Sequence, residues 1–230
     1  FRELLGNGER LGINIQFEKQ NFPNGVAEAF IIGEKFIGKE NVCLVLGDNI
    51  LYGDGLVNLL SKAKKKVEKT RKALIFGYEV TNPKEFGVIE FKNNKVKRIV
   101  EKPNKTSSKM AAIGLYFYPN KVISLSKKIK KSQRSELEIT DINNLFIKKN
   151  KISFQELGRG IIWYDAGSPE NLLKISNLIY NIQSRTNSQI ACLEEIAFKN
   201  KWINNSELKS NLKYCYGIYR QYLRKLLDER

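Results

Sequence analysis

The chain has no histidine, only three cysteines, and no uninterrupted apolar run near the roughly 20 residues that a membrane-spanning helix needs. Each absence excludes something. Without histidine, the scattered Cys43, Cys192 and Cys215 make no zinc site, and an odd number of distant thiols gives neither a disulfide framework nor a natural catalytic cysteine. The first residues show no basic-then-apolar leader pattern, so no membrane association and a cytoplasmic location are expected. No repeats beyond alternating strand and helix signals occur, and no low-complexity linker. Acidic residues are the minority, 24 against 40 Lys+Arg, for a net charge of +16. Such a charge suits a nucleic-acid binder. However, Lys62–Lys66 and Lys127–Lys131 lie among apolar residues at helical spacing, so a solvated surface is the favoured reading over a nucleic-acid patch.

What remains is 230 residues, 42% of them hydrophobic, enough for one substantial core. Phe1–Leu5 reads as the tail of a helix that Gly6 and Gly8 end, so the chain is expected to start inside a domain. Ile13–Phe17 alternates as a half-buried strand does. Val26–Ile37 carries helical spacing, and Val42–Leu46 reads as a strand buried on both faces. Leu56–Lys69 predicts a helix and Ala73–Tyr78 a second buried strand, an alternation that argues for α/β architecture. Val88–Phe91 and Val96–Val100 flank Asn93-Asn94 as a hairpin, which makes the sheet mixed. Ala112–Tyr118 follows as a strand, then helices over Val122–Ile129 and Leu137–Lys149 and strands at Ile152–Phe154 and Ile161–Tyr164. Ser168-Pro169-Glu170 has the chemistry of a helix start. Leu172, Leu173, Ile175, Leu178, Ile179 and Ile182 then share one face. From Cys192 onward only short helices are signalled, at Glu194–Phe198, Ser206–Leu212 and Tyr219–Leu227. The expected division is residues 1–190 as the main domain and 191–230 as a helical C-terminal extension.

Four places carry candidate chemistry. Asp48, in Leu46-Gly47-Asp48-Asn49, follows a strand end, where ligands bind in open α/β sheets; an aspartate there suits a hard divalent cation or caps the next helix. Asp165 follows another strand end, and two such aspartates can converge on one metal, although by itself it equally starts the turn before Ser168. Glu101-Lys102-Pro103 ends the hairpin in an extended stretch, where a carboxylate suits sugar hydroxyls and an ammonium a phosphate, or where the two form a surface ion pair. Arg134 precedes a helix start, a place suited to phosphate recognition by its planar fork, while Glu136 and Glu138 favour the helix dipole.

These segments, with Gln20 and Pro23–Ala27, Phe86-Gly87-Val88, Gly114–Tyr118, Glu136–Asp141 and Trp163–Gly167, follow one another as they do in the glucose-1-phosphate thymidylyltransferases, which the chain resembles over essentially its whole length. The Cys192–Gly217 part is similar to members of that family with a helical extension. The resemblance implies a three-layer, Rossmann-like nucleotidyltransferase fold with a mixed sheet. It implies Mg²⁺ held by Asp48 and Asp165, with Gln20 and Gly25 reading thymine through a donor and an acceptor of the Gln20 amide. Lys102 and Arg134 become the catalytic cations on the sugar phosphate, Glu101 and Gly87 contact sugar hydroxyls, and Tyr116 lines the pocket. The substrates would be dTTP and glucose 1-phosphate, the products dTDP-glucose and pyrophosphate, at the entrance to dTDP-rhamnose and surface-polysaccharide synthesis. The assembly would be a homo-oligomer, a homotetramer by resemblance.

Departures are as informative. Glu28 stands where the family usually has glutamine, Phe86 where it has tyrosine, Ile113 where it has threonine, Ser135 for glycine and Ala166 for threonine. The family's glycine-rich G-G-x-G-T-R-L loop would lie upstream of Phe1, so the first βα unit or units are expected to be missing, and residues 1–230 alone are expected not to make dTDP-glucose. Rival readings are a uridylyl- or cytidylyltransferase on the same fold, and a non-enzymatic remnant or nucleic-acid-binding protein.

Overall fold

The computed structural model describes residues 1–228, which group into two compact units: residues 18–168, and residues 1–17 together with 169–228.

The larger unit is built on a mixed sheet. Its strands are β1 (Val42–Val45), β3 (Ala73–Glu79), β4 (Gly87–Lys92), β5 (Lys95–Glu101), β6 (Met110–Tyr118) and β7 (Ile152–Glu156). They run in the order β5-β4-β6-β3-β7, with β1 also pairing β6. Only β3 and β7 are parallel; β6 is antiparallel to β1, β3 and β4. A separate two-stranded ladder pairs β2 (Asn49–Gly53) with β8 (Ile161–Asp165).

Helices cover both faces. Ala73 and Ile75 of β3 pack in one core with Phe30, Tyr118, Val122, Ile142 and Phe146. These belong to α2 (Ala29–Ile32), β6, α5 (Lys121–Ser126) and α6 (Ile139–Lys148). Leu74 and Phe76 point the other way, into a core with Ala63 and Val67 of α4 (Leu56–Thr70), Ile113, Leu115 and Trp163. Alternate residues of one strand thus enter different cores, which is why β3 reads as an unbroken apolar run. Sheet plus two helical faces gives the three layers expected.

β1 departs from that pattern. Val42 and Leu44 pack into the first core, but Cys43 and Val45 are exposed, so the strand is buried on one face rather than two. A hollow of about 290 Å³ lies between Cys43 and the α4 residues Lys64, Val67 and Glu68, so on this side β1 faces open space rather than a packed core.

Three other sequence readings are corrected. Ile13–Phe17 forms no strand, because its backbone turns back on the preceding loop, with the Ile15 N–H donating to the Asn7 carbonyl at 2.8 Å and that of Ile13 to Gly8 at 3.2 Å. The Val26–Ile37 helix is broken at Gly33, giving a 3₁₀ turn (Val26–Glu28), α2, and α3 (Glu34–Ile37). The strand β2 carried no recognised signal.

The smaller unit is helical: α1 (Arg2–Leu5), α7 (Pro169–Thr186), α8 (Leu193–Lys199), α9 (Asn205–Asn211) and α10 (Gly217–Asp228). Its core joins Leu11 to Cys192, Ala197, Ile203, Leu208, Leu212, Cys215 and Leu223. The Asn211 amide donates to the Arg10 carbonyl at 2.7 Å, tying the first segment to the last. Asn204 and Glu207 close a reciprocal capping box on α9, which satisfies two otherwise orphaned N–H groups. Of the apolar row foreseen on α7, Ile175 is buried, Leu178, Ile179 and Ile182 are half-buried, and Leu172 and Leu173 are exposed, as is the neighbouring Tyr180. No helix among the described residues is long and apolar enough to cross a membrane.

Candidate active site

All nine candidate site residues lie in the larger unit. The two aspartates, 117 positions apart in sequence, are brought together by the β2–β8 ladder, whose first register pair is Asn49 with Asp165. The Ala166 N–H donates to the Asp48 carbonyl at 2.7 Å, and the Gly167 N–H to Asp165 Oδ1 at 2.8 Å. A Cβ placed on Gly167 would lie 2.8 Å from Asp165 Oδ1 and 3.7 Å from Asp48 Oδ2, so both carboxylates border the space that the glycine leaves open.

Asn49 anchors this corner, a role that the sequence reading did not give it. Its Oδ1 accepts from the Gly114 N–H at 2.8 Å and from the Trp163 indole N–H at 2.7 Å, while its Nδ2 donates to Asp48 Oδ1 at 2.8 Å. One side chain therefore ties the central strand β6, strand β8 and the Asp48 carboxylate. Gly114 is required here by close approach, since an added Cβ would sit 2.7 Å from the Asn49 amide. Trp163 is itself held by Phe86 and Tyr78, ring centroids 5.2 and 5.8 Å away. Phe86 in place of tyrosine thus packs as a ring beneath this corner.

A second cluster forms where the β4–β5 hairpin meets the segment before α6. Gly87 and Glu101 are register partners, and a Cβ on Gly87 would lie 3.2 Å from Glu101 Oε2. The Thr140 hydroxyl donates to Glu101 Oε2 at 2.7 Å. Tyr116 is buried, and loss of solvation, reinforced by the Glu101 charge, pushes its hydroxyl well above the ordinary phenol range. Burial, then Glu101, likewise raises Asp141 above the ordinary carboxylate value.

The two cations of this cluster are in different circumstances. Arg134 sits among three carboxylates, Glu136 at 3.4 Å and Glu101 and Glu138 both at 3.6 Å. Lys102 is exposed and pairs with no carboxylate among the described residues. Both neighbourhoods hold left-handed, non-glycine backbone, φ 39° at Lys102 and 61° at Ser135. Such conformations cost on the order of 1–3 kcal/mol and concentrate at functional sites.

Gln20 and Gly25 form a third corner. Gly25 has φ 100°, and a Cβ there would meet the Leu137 backbone at 2.5 Å, so only glycine permits this approach. The Leu137 N–H donates to the Asn24 carbonyl at 2.6 Å and the Ala27 N–H to the Leu137 carbonyl at 3.2 Å, which joins this loop to the segment carrying Arg134. The Gln20 amide nitrogen donates to the Gly25 carbonyl at 3.0 Å and to Glu28 Oε2 at 2.7 Å. Both of its hydrogens are used within the protein, so Gln20 turns only an acceptor outward, not the donor and acceptor together that its amide carries.

A mixed sheet between two helical layers carries paired aspartates at the β2–β8 ladder, Lys102 just after β5 and Arg134 in the loop before α6, which is the fold class of the nucleotide-handling α/β proteins. The nucleotidyl transferase family model matches residues 1–181, and the chain belongs to that family. Within it, the whole chain is 44% identical over 231 residues to a Neisseria meningitidis glucose-1-phosphate thymidylyltransferase, covering 79% of that protein, and 40% identical to one from Mycolicibacterium smegmatis, with 99% and 78% covered. A solved structure assigned as the same enzyme from Bacillus anthracis, in complex with sucrose, superposes with TM-score 0.68 at 33% identity over 77% of this chain and 70% of that one. A UDP-glucose pyrophosphorylase complexed with UDP-glucose shares the fold, with TM-score 0.65 at 24% identity.

Proposed function

We propose that these residues serve the transfer of a thymidylyl group from dTTP to glucose 1-phosphate, giving dTDP-glucose and pyrophosphate, in concert with the family's glycine-rich loop, which residues 1–230 do not contain. The observation that carries the reading is the convergence of Asp48 and Asp165 beside Gly167, on a chain 44% identical to a named thymidylyltransferase.

The pair fits Mg²⁺. Among the described residues no third Asp, Glu, His or Cys joins them, which suits an ion that takes one or two carboxylates and fills its other positions with water and substrate phosphate. When bound, the ion neutralises charge on the triphosphate and fixes its geometry. The protein's own groups do the rest. Lys102, exposed and uncompensated, holds the phosphate of glucose 1-phosphate. Arg134 joins it by exchanging carboxylate partners for phosphate oxygens. Glu101, steadied by Thr140, and the backbone at Gly87 receive sugar hydroxyls, while Tyr116, kept protonated by burial, closes the wall. Gln20 and Gly25 hold the base. A phosphate oxygen of the sugar phosphate attacks the α-phosphorus in line; that P–O bond forms as the bond to the pyrophosphate oxygen breaks. No protein nucleophile is needed, and catalysis rests on alignment and charge stabilisation.

We also propose a homo-oligomer, with the exposed Leu172, Leu173 and Tyr180 of α7 as apolar surface for contact between copies.

With the glycine-rich loop restored upstream of Phe1, pyrophosphate release from dTTP that requires both glucose 1-phosphate and a divalent cation tests the activity, while residues 1–230 alone are expected to release none. Faster release with UTP or CTP at equal concentration would replace it with another pyrimidine transferase.

A further inference from the structure

Among the described residues, two buried side-chain polar atoms lack a hydrogen-bonding partner, and one of them is Nε of Arg220. A buried guanidinium N–H without an acceptor is costly to keep. Arg220 stands on α10, in the smaller unit, and borders an open hollow of about 870 Å³ between α9 and α10. Lys209, Lys213 and Arg224 border the same hollow, against a single carboxylate, Asp228. None of the four cations forms an ion pair among the described residues. Lys213 lies 4.9 Å from the centroid of the Tyr214 ring, a contact that leaves its charge uncancelled. The other acid of these two helices, Glu207, is committed to the α9 capping box, its Oε2 accepting from the Asn204 N–H at 2.7 Å. Arg220 and Arg224 are one turn apart on α10, where like charges repel.

A second basic hollow, of about 540 Å³ in the larger unit, shows what a merely solvated surface looks like. Its one arginine, Arg98, donates from Nε to Glu90 at 2.7 Å, and its Lys131 donates to Asn24 at 2.6 Å. No buried side-chain polar atom there is left without a partner.

We propose that the hollow between α9 and α10 binds a diphosphate group, with the Arg220 guanidinium donating to a phosphate oxygen and Lys209, Lys213 and Arg224 neutralising the rest of the charge. The planar fork of arginine matches phosphate oxygens, and cations gathered about one concave space raise the local concentration of anions. A single phosphate carries at most about two negative charges, which leaves part of this positive charge unmatched, whereas a diphosphate matches it more fully. No aromatic ring among the described residues lines the hollow, so it lacks the stacking platform that a single-stranded nucleic acid uses. The site is separate from the proposed thymidylyl transfer, whose residues all lie in the larger unit.

The test is calorimetric titration of the full chain with pyrophosphate, with dTDP and with orthophosphate, in the presence of a chelator so that no metal-held phosphate contributes. Arg220→Gln and Lys213→Gln should each weaken pyrophosphate about tenfold, the scale of one charge-assisted hydrogen bond. Lys128→Gln and Lys130→Gln, in the other hollow, should leave it unchanged. The same dependence on Arg220 and Lys213 with dTDP would make a nucleotide's diphosphate a source of the ligand, and dependence with pyrophosphate alone would make it the free anion. Pyrophosphate binding indifferent to Arg220 and Lys213, or lost with Lys128 and Lys130 instead, would overturn the site, and orthophosphate binding as tightly as pyrophosphate would overturn the preference for a diphosphate. Nuclear magnetic resonance of the wild type covers the case in which Arg220→Gln does not fold: the Arg220 Nε–H signal should shift as pyrophosphate is added, and a signal unmoved at saturation would contradict the proposal.

Discussion

The aspartate corner and the cation corner of the larger unit are built in opposite ways. Asp48 and Asp165 are set by backbone: a ladder in register, two N–H groups on the turn after β8, and one asparagine that braces three elements. The cations stand on loops, and Arg134 is occupied by three carboxylates before any substrate arrives. The difference teaches that position and charge are controlled separately. A metal site needs its ligands fixed in advance, whereas a site for a phosphate that enters and leaves must hold its arginine by contacts that can be exchanged.

Substitutions can sharpen or break this contrast. The largest effect is expected at the fixed corner: with the glycine-rich loop restored upstream of Phe1, Asp48→Asn and Asp165→Asn should each lower turnover by about 10²–10³-fold, the cost of one lost electrostatic stabiliser, with the melting temperature nearly unchanged. Near wild-type turnover in either variant would remove that residue from the metal site.

Next comes the brace. Asn49→Ala leaves the Gly114 N–H and the Trp163 indole N–H without their acceptor, and each orphaned buried donor costs about 1–3 kcal/mol. Chemical denaturation should show a loss of about 2–4 kcal/mol, together with weaker metal dependence, and a variant of wild-type stability would show that the corner does not depend on Asn49.

At the loop corner, Lys102→Ala and Arg134→Ala should both raise the KM for glucose 1-phosphate more than that for dTTP. Lys102→Ala should have the larger effect, about tenfold, because its charge is uncompensated while that of Arg134 is shared with Glu101, Glu136 and Glu138. Equal losses for the two substrates would make these cations structural.

Much of this was legible in the sequence, and the reasons are specific. The β3 run, the hairpin around Asn93-Asn94, α4, α6 and α7 announce themselves because local pattern and tertiary burial agree. Where burial depends on partners distant in sequence, the reading failed. β2 follows directly on the Asp48 turn and pairs with residues more than a hundred positions on, so nothing local marks it as a strand. Ile13–Phe17 alternates correctly but finds no partner strand. Two-sided burial of β1 was inferred from its apolar run, although only one face has a helix and core against it. At the site, residue types and segments were readable, but the relations among them were not. The Asn49 brace and the approach of Glu101 to Arg134 join side chains from separate segments, which no local pattern announces.

The central claim, that Asp48 and Asp165 jointly hold the ion that carries the nucleotide, is tested most directly by electron paramagnetic resonance of Mn²⁺ titrated into the protein with dTTP present. Wild type should show a bound Mn²⁺ signal that dTTP strengthens, and Asp48→Asn and Asp165→Asn should each weaken that binding by at least about tenfold while retaining the fold. Unchanged Mn²⁺ binding in both folded variants would contradict the account.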